Sequence, residues 1–190
     1  FTASGSATAP SPSAPVAAEP PGTSSTFASA TAEPSASDAV HTMEVEQAIL
    51  ATPRRYPSVV TAQIHNDDDD VILIKYREGR LFADADRGDF DETLDENYRL
   101  GTRFKLRIQA TKGLIRVTYN DTKTVVYKKA SDTMYFKAGV YNQSNLEKYP
   151  DEAPNSYGEV VIYKLKVTHV GGSANPDAAE NSDEDDGDDE

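Results

Sequence analysis

The sequence predicts an all-β fold, a two-sheet β-sandwich or jelly roll, and three observations carry that prediction. From His41 onward, apolar and polar residues alternate over short runs bounded by Asn, Asp and Gly, the period of two expected of half-buried strands. No helical periodicity interrupts these runs beyond a turn at Ser144 to Lys148. About nine short strands then fall in roughly 130 residues, and one open sheet of that many strands would leave a whole face without a partner, so the strands must divide between two packed sheets.

Phe1 to Val40 contains no Lys, Arg, Leu or Ile and is built mainly of Ala, Ser, Pro, Thr and Gly. Such a stretch has too few large side chains to offset the entropy of ordering, so residues 1–40 read as a disordered leader. Strands are expected at 42–50, 58–65, 71–76 and 80–83. In Arg103-Phe104-Lys105-Leu106-Arg107-Ile108-Gln109 the apolar residues hold even positions and the polar ones odd, which is a strand over 103–110 with one buried and one wet face. Strands at 113–119 and 122–128 are joined by a tight turn at Asn120-Asp121. Strands at 134–143 and 157–169 complete a domain of residues 41–172, and the acidic residues 173–190 form a self-repelling tail.

The chain has 190 residues, with 32 acidic and 19 basic side chains and a formal charge of -13. Most of the acidic excess lies in the leader and the tail, and the Lys and Arg residues between them interleave with apolar positions without forming a block. A nucleic-acid partner is therefore not expected. The absence of cysteine excludes a disulfide framework, a Cys-ligated zinc site and a thiol nucleophile. No run approaches the roughly twenty apolar residues that span a bilayer, so no membrane partner is expected. The start at Phe1 lacks the marks of a signal peptide, and the expectation is a secreted monomer whose signal lies upstream in a longer parent. Asp67 to Asp70 could suggest calcium, but the sixth position counted from Asp67 is Ile72, where an EF-hand loop needs Gly. No metal or cofactor is expected.

Two segments put polar groups where an ordinary sandwich strand would not. In Val59 to His65 the period of two sets Val60, Ala62 and Ile64 on one face and Thr61, Gln63 and His65 on the other. In Tyr135 to Gln143 it turns Phe136, Ala138 and Val140 to the core and Lys137, Gly139, Tyr141 and Gln143 the other way, with Gly139 leaving a gap through which a ligand can approach the sheet. An imidazole, a phenol, an ammonium and two amides suit a polar, multi-hydroxyl ligand. A His beside a Gln at a strand end is more commonly a satisfied surface pair, so the residues alone leave both readings open.

Gln63-Ile64-His65 and Tyr135-Phe136-Lys137-Ala138-Gly139-Val140-Tyr141-Asn142-Gln143 match the two later signatures of the alginate lyases of polysaccharide lyase family 7. Leu94 to Thr102 is similar to that family's connecting loop, and His41 to Ile49 to the strand that precedes the Gln-Ile-His strand. The chain thus resembles the family from His41 to Gln143. The resemblance implies a jelly roll with a concave substrate-binding sheet, and cleavage of an acidic polysaccharide, alginate foremost, by β-elimination. It implies that Gln63 donates to the substrate carboxylate, that His65 is the base or a neutralising group, and that Tyr141 is the acid, or acid and base together. Lys137 and Gln143 would bind substrate. Lys105 and Arg107, with Lys75 and Arg77, are candidates for the cations that a polyanion needs along its groove. The family's earlier Arg-x-Glu-Leu-Arg strand, due within the leader, has no counterpart, and the first arginine is Arg54. The expectation is a missing strand, an unpaired sheet edge and a missing carboxylate donor. A leader of this composition is also what a GC-rich gene yields in the wrong reading frame.

Overall fold

A computed structural model describes residues 26–31, 39–131 and 133–171. Its strands are β1 (Thr26–Thr31), β2 (Val40–Ala51), β3 (Ser58–His65), β4 (Asp70–Arg77), β5 (Arg80–Ala85), β6 (Phe90–Asp95), β7 (Phe104–Thr111), β8 (Leu114–Tyr119), β9 (Lys123–Lys128), β10 (Tyr135–Asn142) and β11 (Glu159–Val170). Among the described residues there is no α-helix, only turns, loops and a short 3-10 turn at Asp86–Gly88. The strands form two antiparallel sheets, one of six strands in the order β1-β10-β3-β4-β5-β6 and one of five in the order β11-β2-β7-β8-β9. The fold is a β-sandwich jelly roll, as the alternating pattern requires.

Alternation sets what each sheet buries. On β7 the even-numbered Phe104, Leu106, Ile108 and Ala110 are buried while Lys105 and Arg107 are exposed. Met43, Val45 and Ile49 of β2 and Ile115 and Val117 of β8 join them in the core, against Ala62 and Ile64 of β3, Ile72 and Ile74 of β4, and Phe136 and Ala138 of β10 from the other sheet. A charged residue on this inner side would lose its hydration with no partner, and the strands place none there.

Two strands depart from the sequence expectation. β6 was not expected because Phe90-Asp91-Glu92-Thr93-Leu94-Asp95 buries only Leu94, and an acid-rich strand at a sheet edge discourages pairing with other chains. β1 lies inside the segment read as a disordered leader and pairs along β10 from Thr26↔Val140 to Thr31↔Tyr135. Backbone ladder bonds need no large side chain, so a strand whose one large residue is Phe27 shows no apolar alternation. The edge of β10 is therefore paired, and a strand does stand there, but its sequence carries no arginine. Residues 1–25 and 32–38 of the leader and the acidic tail, 173–190, lie outside the described residues.

Candidate active site

β3 and β10 lie side by side in the six-stranded sheet. Their register sets Tyr135 opposite His65, Lys137 opposite Gln63, and Tyr141 opposite Val60. Directly opposed residues share a face with Cβ atoms about 4.5–5.5 Å apart, so the two signatures form one polar row on the outer side of this sheet. Tyr135 Oη lies 3.2 Å from His65 Nδ1, with the ring centroids 5.5 Å apart. The same Nδ1 hydrogen-bonds the backbone carbonyl of Asn66. Lys137 Nζ sits 5.0 Å from the centroid of the Tyr135 ring. Gln63 is buried, and among the described residues its amide makes no side-chain hydrogen bond. Tyr141 is 40% exposed on the same face. Gln143 stands just past the end of β10, where its N–H donates to Ser58 O over 3.1 Å.

A bulge in β3 corrects the expected faces. Val60 pairs with Lys75 and Ala62 with Ile74, so Thr61 is an extra residue between them and the alternation slips by one. Thr61 consequently turns inward, where its hydroxyl accepts from Gln47 Nε2 over 3.0 Å in the core, and Val60 turns outward beside Tyr141. The polar row on β3 is Gln63 and His65, without Thr61.

The loop after β10 is tied down around one buried carboxylate. Glu152 accepts from Ser144 Oγ over 2.5 Å, from the Arg55 N–H over 3.2 Å and from its neighbour Ala153 N–H over 3.1 Å. Burial alone would raise this carboxyl, and the hydrogen bonds from Ser144, Ser156 and the two backbone N–H groups overcome that and hold it below its ordinary value. Gly158 passes so close under the sheet that an added Cβ would meet Asn142 and come within 2.8 Å of Val59. The strand end bearing Tyr141 is thus fixed from below.

A cleft of about 570 Å³ begins at Asn66, the residue after His65, and runs over β4 and β5, lined by Asp70, Leu73, Lys75, Asp84 and Lys129 among others. Lys75 Nζ and Asp84 form a largely buried ion pair at 2.7 Å. Burial pushes the Asp70 carboxyl up, and neighbouring Asp69 adds to the shift. Further along, Phe82 underlies three cations, with Arg80, Arg77 and Lys75 at 4.4, 5.6 and 5.9 Å from its centroid. Arg80 is oriented by Thr93 at 2.7 Å and by the Asp91 carboxylate.

The family model described as alginate lyase matches residues 21–169. The chain belongs to the alginate lyase family, polysaccharide lyase family 7. The solved alginate lyase AlgAT5 of that family is 41% identical over 75% of this chain and 63% of its own, with a TM-score of 0.66. The solved alginate lyase from Corynebacterium sp. is 33% identical over 73% of this chain and 62% of its own, with a TM-score of 0.69. An alginate lyase of Klebsiella pneumoniae is 30% identical over 58% of this chain and 48% of its own length. The chain therefore spans about half to two thirds of these relatives.

On this alginate lyase fold Gln63, His65, Lys137 and Tyr141 come together, and Lys105 and Arg107 do not. The latter two lie on β7 of the five-stranded sheet, and the outer faces of a sandwich point in opposite directions. There Arg107 meets Glu44 at 3.3 Å and Asp121 at 3.5 Å, and Lys105 meets Asp121 at 3.6 Å. Lys75 and Arg77 do lie on the six-stranded sheet. Tyr135 was legible as a neighbour of the site, since it stands two residues before Lys137 on the same face. Asn66 and Arg80 carried no signal in the sequence.

Proposed function

We propose that this protein is a secreted polysaccharide lyase that cleaves alginate by β-elimination, acting outside the cell on a polymer too large to be taken up whole. The observation that carries the reading is the register of β3 and β10, which sets an amide beside an ammonium and an imidazole beside a phenol on one face. β-Elimination removes the C5 proton of a uronate, breaks the C4–O bond, forms the C4=C5 double bond and returns a proton to the departing oxygen. Charge grows on the carboxylate as the proton leaves, so pre-placed donors there lower the barrier. Gln63 and Lys137 are suited to hold that carboxylate, His65 to take the proton or neutralise the carboxylate, and Tyr141 to protonate the leaving oxygen. Gln143 and the cations above Phe82 would hold flanking sugars.

A binding module without turnover is the second reading, favoured by the lack of an arginine in β1. Incubation with alginate and with polyglucuronate, followed by ultraviolet absorbance of the unsaturated product, tests both. The lyase reading expects absorbance to grow with alginate. Retention on immobilised alginate without any absorbance would replace it with the binding module.

A further inference from the structure

We propose that Asn66 is a positioning residue that sets the tautomer of the His65 imidazole. A backbone carbonyl can only accept, so the His65 nitrogen facing Asn66 O must be the one that carries a proton, Nδ1. A neutral imidazole has one N–H, and Nε2 is then left with its lone pair. Tyr135 Oη, 3.2 Å from the same Nδ1, shares that proton as a second acceptor, and the Tyr135 ring braces the imidazole from the side.

The carbonyl is effective because Asn66 cannot move. Its side-chain Oδ1 accepts from the N–H groups of Asp68 and Asp69 over 3.0 and 2.7 Å, and its own N–H donates to Asp69 O over 3.0 Å, folding 66–69 into a closed turn. Its Nδ2 donates to Ser131 Oγ over 2.8 Å, tying the turn to the loop that leads into β10. One residue thus fastens the end of β3 to the start of β10, with the imidazole between them. Ala keeps neither tie and Asp keeps the turn, so the two replacements separate the functions of the side chain.

The catalytic consequence rests on the reading of His65 as the base, whereas the tautomer does not. Long-range proton–nitrogen correlation spectra of the nitrogen-15-labelled full chain, above the titration range of imidazole, read the tautomer directly. His65 is expected as Nδ1–H with an unprotonated Nε2. Asn66→Ala should shift it toward the Nε2–H form that free imidazole prefers, and Asn66→Asp should retain Nδ1–H. On alginate, Asn66→Ala should lower kcat by about tenfold or more with KM changed little, because a base in the wrong tautomer presents a proton where a lone pair is needed, and Asn66→Asp should restore most of the loss. Should Asn66→Ala fail to fold, Ser131→Ala, which removes the acceptor of the Asn66 Nδ2 bond, keeps the proposal testable and is expected to give an intermediate tautomer mixture. An Nε2–H His65 in the wild-type chain overturns the proposal without any variant, as does an Asn66→Ala protein that keeps both Nδ1–H and the wild-type kcat. A wild-type chain that shows the Nδ1–H tautomer but no lyase product leaves the tautomer assignment standing and overturns the lyase reading instead.

Discussion

The outer faces of the two sheets are both polar, but they are polar in different ways. On the five-stranded sheet the cations of β7 and the residue before it meet carboxylates of the same protein: Arg103 and Glu46 at 2.7 Å, Arg107 and Glu44 at 3.3 Å, Lys105 and Asp121 at 3.6 Å. On the six-stranded sheet neither β3 nor β10 carries an acid, and the register sets Gln63 against Lys137 and His65 against Tyr135. A face whose charges answer one another is electrostatically finished. On the six-stranded sheet such pairs sit on β4 to β6, Lys75 with Asp84 and Arg80 with Asp91, whereas the row along β3 and β10 is made of amide, ammonium, imidazole and phenol groups, a composition suited to an anion from outside.

The sharpest way to break this comparison is Tyr141→Phe, which removes one hydroxyl from the donor face. Turnover on alginate should fall by roughly 10² to 10⁴ while the melting temperature stays put, and wild-type turnover would move the acid elsewhere. Next in size is a gain. Ser29 of β1 is the register partner of Lys137, so Ser29→Arg adds a guanidinium at the strand where the family carries its arginine. Turnover should rise by about 10² with little change in binding, since a donor that matters most as charge develops acts on the transition state; an unchanged rate would mean that Lys137 already fills the role.

Stability provides the third test. Glu152→Gln should lower stability by about 1–3 kcal/mol in chemical denaturation, because backbone N–H groups would face an amide that cannot accept from all of them. The native carboxyl is held below its ordinary 4.5, so its contribution is fully present above that value and is lost as pH falls through the native one. Acid unfolding of the wild type should therefore contain a component that the Gln variant lacks, and identical acid profiles would refute the hub. The smallest effect belongs to the finished face. Lys105→Ala with Arg107→Ala should leave turnover within about twofold and stability within ~1 kcal/mol, since exposed ion pairs contribute little. A large loss of activity there would show that both faces handle substrate.

Much of this was readable without coordinates. The parity of Phe104, Leu106 and Ile108 against Lys105 and Arg107 follows from strand geometry alone and is observed. The polar row of β10 also follows, because Lys137 and Tyr141 keep the period of two. The inward turn of Thr61 was not readable, since a bulge adds a residue without any mark in the side-chain pattern and its cause, the bond to Gln47, comes from the other sheet. Lys105 and Arg107 looked like groove cations because alternation tells which residues are outside but not on which of two outsides they lie. β1 and β6 were hidden for different reasons, one having Phe27 as its single large side chain, too few for a pattern, and the other having acids where apolar residues would reveal it.

His65 and Tyr135 touch across 70 positions of the chain, and His41 and His169 across 128. Contacts that distant form only after large loops have closed, which slows folding and delays them relative to hairpins such as β7–β8 or β8–β9. During refolding, hairpin structure should thus recover ahead of lyase turnover. No short fragment holding a single signature can carry the paired row, so the proposed turnover would double as a readout of completed assembly.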